Sequence, residues 1–161
     1  MHPSIAAVAQ VFGASTALFE KALAGLDREA LLRRPGTETN PILWIAGHLA
    51  SSRYGLATAL GRQRDVPWGT LFFKGAAVGD LSALPEVGSI QEGWREISAL
   101  LAARLEELTE AELAAPFPRS FPIPDRSLRG AITFLAFHEG YHLGQMALLR
   151  KWLGLPGLVD G

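Results

Sequence analysis

Apolar residues recur at intervals of three and four positions in four long segments of the chain. The segments cover residues 3–26, 41–60, 89–108 and 127–153, and this spacing is typical of amphipathic helices. No segment shows a sustained alternation of apolar and polar residues, so the pattern predicts an all-α fold. Because long connections join the helices, we expect a single domain over residues 1–161, a helical bundle with crossover loops.

Capping residues mark the starts of three of these helices. Asn40 followed by Pro41 predicts an N-cap and a first helical residue for the second helix. Ser89 with Glu92 three residues later forms a capping box that opens the third helix. Ser127 is expected to cap the fourth helix, which reaches residue 153.

Two connections are rich in residues that do not continue a helix. Residues 61–88 hold many glycine, proline and aromatic residues, and loops of that length in a small domain often line a site. Residues 115–124 contain prolines at a density that removes backbone donors and fixes φ. We therefore expect an extended crossing before the fourth helix.

Composition excludes several classes of function. The formal net charge is −1, which gives no basic footprint, so neither a nucleic acid nor an anionic membrane surface is an expected partner. The chain has no cysteine, which excludes disulfides, a cysteine zinc site and a cysteine nucleophile. No uncharged apolar run reaches the roughly 18–20 residues of a membrane span, and the N-terminus lacks a basic signal-peptide region. The expected location is therefore the cytoplasm.

Three of the four histidines fall on the inner stripes of predicted helices. His138 and His142 lie four residues apart, one turn apart on the same helical face, and His48 lies on the inner stripe of the second helix. Burying three imidazoles without partners costs roughly a few kcal/mol each, so a shared metal is favoured over three unrelated core residues. Three imidazoles leave one position of a tetrahedral ion open, which is typical of a catalytic or substrate-binding site. Water or a thiolate could fill that position, and histidine ligation alone suits zinc, nickel, copper or iron.

Glu139 lies between the two histidines of the fourth helix, and its role stays open. The spacing matches the metalloprotease signature, in which this glutamate is the general base. A protease of this type takes its third ligand downstream, however, and the only acidic residue after His142 is Asp160. The other interpretations of Glu139 are a helix-face charge, paired for example with Arg150, and a residue that orients a ligand histidine.

Further residues near the histidines are candidates for binding a substrate. Trp44 lies one turn before His48, while Tyr141 and Gln145 flank the pair on the fourth helix. Aromatic residues at helical spacing are, however, more often part of a core. A second apolar face of the fourth helix predicts either a large core or a homodimer surface. It consists of Phe134, Phe137, Tyr141 and Leu148.

Two stretches of the chain resemble the DinB-like superfamily. They are residues 40–49, NPILWIAGHL, and residues 137–146, FHEGYHLGQM. The resemblance implies an up-up-down-down four-helix bundle and a divalent metal, zinc or nickel, held by His48, His138 and His142. It also implies frequent homodimers, and an association with stress-induced expression rather than with DNA chemistry. Many members carry an acidic residue shortly after the first histidine, where this chain has residues 51–54, SSRY.

The characterised members of this family imply an activity. They include S-transferases that use bacillithiol or mycothiol, so we expect a metal-dependent thiol S-transferase that joins a low-molecular-weight thiol to a small electrophile. An alternative is a metal- or ligand-binding dimeric bundle without turnover. A third possibility is a metal-dependent hydrolase, in which Glu139 would be the catalytic base.

Overall fold

The computed structural model describes residues 1–72, 80–118 and 121–159 of the chain. Four long helices form a bundle, and two short helices, α2 and α5, lie in the connections. A short 3₁₀ turn over Pro3–Ile5 precedes the first helix, and a second one occupies Leu81–Ala83. The α-helices are α1 (Ala6–Leu23), α2 (Arg28–Leu32), α3 (Ile42–Ala59), α4 (Val87–Glu107), α5 (Glu110–Ala114) and α6 (Leu128–Trp152).

Helices α1 and α6 run in one direction along the bundle, and α3 and α4 run in the other. One end of the core joins the last turns of α1 and α6 to the first turns of α3 and α4, through residues such as Leu23, Leu149, Ile42 and Ile90. The opposite end joins the other four helix ends, through residues such as Ile5, Leu128, Leu60 and Leu105. The prediction of an all-α four-helix bundle is confirmed, but the order of directions is up-down-down-up instead of up-up-down-down.

This order of directions explains the uneven lengths of the connections. Because α3 and α4 are parallel, the chain must return along the whole length of the bundle between them, and it does so between Ala59 and Val87. The antiparallel pairs α1–α3 and α4–α6 need only shorter connections. Part of the loop predicted over residues 61–88 falls on residues 73–79, which lie outside the described residues.

The predicted extended crossing after α5 pairs with the start of α6. The amide of Phe117 donates to the carbonyl oxygen of Arg126 at 2.8 Å, and the amide of Leu128 donates to that of Ala115 at 2.8 Å. Residues 119 and 120 of this crossing lie outside the described ranges. The paired segment places the side chain of Phe117 next to the first turn of α6.

Only one of the three predicted helix starts is confirmed. The hydroxyl of Ser127 accepts from the amide of Gly130 at 3.3 Å and caps α6. Helix α3 has Pro41 at its N-cap position instead of Asn40. Helix α4 has Glu86 at its N-cap position and begins two residues before Ser89. Arg28 binds the Leu84 carbonyl at 2.8 Å just ahead of the helix.

Most buried side chains of the bundle are apolar, and among the buried polar ones Arg53 bonds to both Ser98 and Glu139. The largest fully buried side chains include Trp94, Tyr54 and Phe19, and the rings of Phe19 and Trp94 stack with centroids 4.1 Å apart. None of the helices in the described part of the chain combines the length and the hydropathy that crossing a membrane requires.

Candidate metal centre

The three inner histidines meet between α3 and α6. The Nε2 atom of His138 lies 3.1 Å from the Nε2 atom of His48 and 3.1 Å from that of His142. Their ligand atoms all lie within 4.8 Å of one another, and the side chains are half-buried. A tetrahedral zinc ion with Zn–N distances of about 2.0–2.1 Å separates its nitrogens by about 3.3–3.4 Å, so the observed spacing fits a metal site.

Hydrogen bonds fix where two of the three imidazoles carry their proton. The Nδ1 atom of His48 lies 2.7 Å from the carbonyl oxygen of Phe72, and the Nδ1 atom of His142 lies 2.7 Å from Oε1 of Gln145. Both oxygens can only accept, so each Nδ1 carries the proton and donates it. Each Nε2 atom therefore directs a lone pair toward the centre of the cluster.

The third imidazole has no hydrogen-bond partner that fixes where it carries its proton. Among the described residues, Nδ1 of His138 is buried and finds no hydrogen-bond partner. If Nδ1 carries the proton, three lone pairs face one another at the centre, and if Nε2 carries it, a buried lone pair on Nδ1 is left without a donor. A metal ion at the centre would turn the three converging lone pairs from a cost into bonds, so the donor set fits such an ion.

The surroundings of the histidines keep them neutral, which is the form that binds metals. Burial lowers the pKa of His48 and of His142. Burial and then the neighbouring imidazoles lower the pKa of His138 from its ordinary 6.5 to about 3. At neutral pH all three imidazoles are therefore available as ligands without first losing a proton.

The long connection after α3 packs directly against His48. A Cβ atom on Gly47 would lie 2.3 Å from the ring of Phe72, so only glycine lets this ring approach α3 so closely. That approach brings the Phe72 carbonyl to His48. On the other side, the indole of Trp44 stacks on the His48 imidazole with centroids 5.1 Å apart. Trp44 is buried and supports the ligand.

Tyr141 and Gln145, the other predicted substrate-binding residues, both contact His142. Gln145 accepts from the His142 imidazole through Oε1, and its amide nitrogen donates to the Tyr141 hydroxyl at 3.3 Å. The Tyr141 ring meets His142 edge-on at 5.1 Å and is 57% exposed. Gln145 therefore orients the His142 imidazole, while Tyr141 is the more exposed of the two.

Glu139 points away from the three imidazoles and into the bundle, where it pairs with Arg53. Its two oxygens accept from Nε and a terminal nitrogen of Arg53 at 2.7 and 2.8 Å, and each side chain is only 2% exposed. Burial raises the pKa of the Glu139 carboxyl, and the hydrogen bonds from Arg53 act against that rise. The predicted pairing with Arg150 is wrong, because Arg150 binds the carbonyls of Ala22 and Ala24.

Arg53 also connects all four long helices of the bundle. Its remaining donors reach Thr16 and the Phe12 carbonyl on α1 and the hydroxyl of Ser98 on α4. Its guanidinium lies 3.7 Å from the centre of the Trp94 ring. Because Arg53 is on α3 and Glu139 is on α6 beside His138, the pair fixes the register of the two helices that carry the three histidines.

Sequence reasoning missed Arg53 and Phe72. Arg53 is the only charged residue of α3, and Glu139 is the only acidic residue of α6. The single charge of α3 and the single acid of α6 have opposite signs, which is a signal that could have paired them. Phe72 acts through its backbone carbonyl, for which residue type gives no signal.

Part of the predicted second apolar face of α6 faces solvent. The exposed fractions are 67% for Phe137 and 68% for Leu148, and Trp152 on the same face is 45% exposed. Phe134 is half-buried, because its ring stacks on Phe121 at 4.5 Å. The face is therefore not part of a larger core, which leaves the homodimer surface as a prediction.

Comparison with known proteins places the chain among four-helix bundles. The profile of the DinB superfamily matches residues 12–146. A solved structure, YfiT from Bacillus subtilis, is similar with a TM-score of 0.63 and 18% sequence identity, over 92% of this chain and 86% of that one. It is described as a probable metal-dependent hydrolase with an unusual four-helix bundle topology. None of the curated proteins matches the chain.

Proposed function

This chain belongs to the DinB superfamily, and we propose that it is a metal-dependent S-transferase that joins a low-molecular-weight thiol to a small electrophile. One observation carries the proposal. Within the described residues, the cluster able to hold a metal contains three histidines and no carboxylate, and both oxygens of the adjacent Glu139 are bound to Arg53. The site thus offers a place for a nucleophile but no free carboxylate base beside it.

A thiol suits such a site better than most nucleophiles. A divalent metal bound by His48, His138 and His142 would supply a Lewis acid that keeps a thiol ionised near neutral pH, without a separate base. In the transfer, the sulfur electron pair forms the new S–C bond and the leaving group departs with its bonding pair. The thiol proton goes to solvent.

The side chains around the cluster orient the ligands and shape the opening. The Phe72 carbonyl and the Gln145 amide oxygen hold the imidazoles of His48 and His142 with their Nε2 atoms inward. Partners of this kind typically contribute about 10–100-fold to metal affinity. Tyr141, which is exposed beside His142, is our candidate for contacting the incoming electrophile.

A hydrolase is the second candidate. The similar structure from Bacillus subtilis carries the description of a probable metal-dependent hydrolase, and a metal-bound water is a competent nucleophile near neutral pH. In this chain, however, Glu139 is held by Arg53 and is badly placed to act as the general base. A binding protein without turnover is the outcome if neither reaction occurs.

The metal site is tested first by elemental analysis of protein purified without added metal, which also identifies zinc, nickel or another ion. We expect about one metal ion per chain, and a loss of it in His142→Ala. His2→Ala is the matched control, because His2 lies at the N-terminus and bonds to Ser4, and it should keep the metal. Full metal occupancy in His142→Ala would refute the assignment of the site.

The reaction is tested by incubating the metal-loaded protein with several low-molecular-weight thiols and a chromogenic electrophile. We expect conjugation that depends on both the metal and the thiol. Hydrolysis of activated esters at equal rates with and without thiol would favour the hydrolase. No metal-dependent acceleration in either assay would favour binding without turnover.

A further inference from the structure

A cavity of about 320 Å³ lies near the C-terminal end of α3, where the crossing before α6 passes over it. One wall is formed by the α3 residues Gly55, Thr58 and Ala59, and the other by Pro116, Phe117 and Leu128. These side chains are apolar except for the hydroxyl of Thr58. The cavity therefore suits an uncharged, apolar group.

The α3 wall of the cavity continues the face of α3 that carries His48. Ser52, Gly55 and Ala59 follow that histidine at intervals of four, three and four residues, so they form one stripe along the helix. At 1.5 Å per residue, Gly55 lies about 10 Å along α3 from His48. The stripe carries only small side chains after the ligand, which leaves room for a groove beside it.

Aromatic rings connect the opposite wall of the cavity to the metal centre. The ring of Phe117 stacks on Phe121 with centroids 5.6 Å apart, and Phe121 stacks on Phe134 at 4.5 Å. Phe134 in turn lies 6.2 Å from the imidazole of His138. An unbroken series of rings thus runs from the cavity to a metal ligand.

Gly55 has no packing reason to be glycine. A glycine inside a helix is less favourable than alanine, and in the described part of the chain nothing lies within 4 Å of where its Cβ would be. Gly47 on the same helix is different, because its Cβ would collide with Phe72. The missing side chain at Gly55 leaves open space on the wall of the cavity.

We infer that the groove from the three histidines to the cavity beside Phe117 binds the apolar part of the substrate. The ligand is an elongated molecule with a metal-binding head group and an uncharged alkyl or aryl tail about 10 Å long. This inference rests on the proposed function for the position of the head group. Burial of each methylene of such a tail should tighten binding about fourfold.

The test is a titration of the cobalt-loaded protein with n-alkanethiols from ethanethiol to decanethiol, followed by the absorption of the cobalt. A parallel series of n-alkyl hydroxamates uses a different metal-binding head group. In the wild type we expect affinity to rise about fourfold per methylene until the tail fills the cavity. In Gly55→Leu the affinity should no longer rise with tail length, while the affinity for ethanethiol stays unchanged.

Two further variants make the outcome specific. Gly88→Leu is the matched control, since Gly88 is a helical glycine with similar open space far from the cavity, and it should keep the gain with tail length. Ala59→Leu narrows the same wall one turn further and should reduce the gain for the longest tails only.

The results separate this inference from the proposed function. The groove is refuted if affinity does not rise with tail length for either head group. It is also refuted if the Gly55→Leu variant keeps the full rise in affinity. If short thiols are turned over but affinity does not depend on tail length, the S-transferase proposal is kept and the groove is rejected. A gain seen with hydroxamates, and not with thiols, would support the groove and remove the thiol from the proposal.

Discussion

The buried pair of Arg53 and Glu139 yields the sharpest prediction about this protein. Replacing Glu139 by Gln keeps the size of the side chain and removes its charge. Arg53 would then keep its bonds to Thr16 and Ser98, but its charge, on a side chain that is only 2% exposed, would be uncompensated. The variant therefore separates a residue that holds the helices together from a residue that acts in catalysis.

The magnitude follows from the burial of the pair. Removing one partner of a buried ion pair costs about 3–5 kcal/mol of the free energy of unfolding. For a chain of this size, about 2–4 °C is lost per kcal/mol, so the melting temperature of Glu139→Gln should fall by about 6–20 °C. Glu107 forms an ion pair at 2.6 Å with Arg62, which is half exposed. The same substitution at Glu107 should lower the free energy of unfolding by less than about 1 kcal/mol.

The double variant Arg53→Met with Glu139→Leu should recover most of the lost stability. Replacing a buried ion pair by apolar residues of similar volume is often neutral or stabilising. The two hydroxyls that Arg53 leaves behind still have acceptors, because Thr16 donates to the Phe12 carbonyl and Ser98 donates to that of Trp94.

Urea and thermal unfolding of the metal-free and metal-loaded forms measure these effects, and activity is measured in parallel well below the melting temperature. A loss of less than about 1 kcal/mol in Glu139→Gln would refute the reasoning. The reasoning would also be refuted if the double variant lost as much free energy of unfolding as the two single variants lose in sum. Loss of activity at unchanged stability and metal content would return Glu139 to the role of general base.

Three further predictions concern pH, the metal and assembly. Burial lowers the pKa of His138 from 6.5 to about 3, so the unfolded chain binds a proton at a higher pH than the folded chain does. The metal-free protein should therefore have its full stability above pH 6.5 and lose stability as the pH falls toward 3. A free energy of unfolding in urea that does not change over that range would contradict this. Gly47→Ala should displace Phe72 from His48 and weaken zinc binding about 10–100-fold in a chelator competition, whereas unchanged affinity would mean that the carbonyl has no effect. Leu148→Glu should convert a dimer to a monomer, as measured by light scattering. A wild-type protein that is already monomeric would exclude the homodimer.

The helices and the histidine pair of α6 could be predicted from the sequence because both depend on local spacing. The interval between His138 and His142 fixes them on one face whatever the tertiary arrangement. His48 followed from its place on an apolar stripe. The predicted N-caps at Asn40 and Ser89 were wrong, since Pro41 and Glu86 occupy those positions. A capping preference is local, whereas tertiary contacts such as the bonds from Arg28 to the chain before α4 cannot be read from spacing.

The directions of the helices could not be predicted from the residues in the same way. Helical periodicity is identical for a helix read in either direction along the bundle, and a long connection is needed in both up-up-down-down and up-down-down-up orders. The pairing of Arg53 with Glu139 depends on α3 and α6 lying side by side. Their sequence separation of 86 residues left Arg150, which is nearer in the chain, as the more obvious partner.

The parallel arrangement of α3 and α4 makes the metal centre depend on the way in which the chain connects the helices. A fully extended chain would return along α3 in about eight residues, and the segment from Leu60 to Glu86 has roughly three times that number. Part of the surplus becomes the turn that presents the Phe72 carbonyl to His48. A redesign with the same helices in a simple alternating order and short hairpin loops could keep all three histidines. It would nevertheless lose the group that orients the first of them, so the site could not be carried over by grafting its ligands alone.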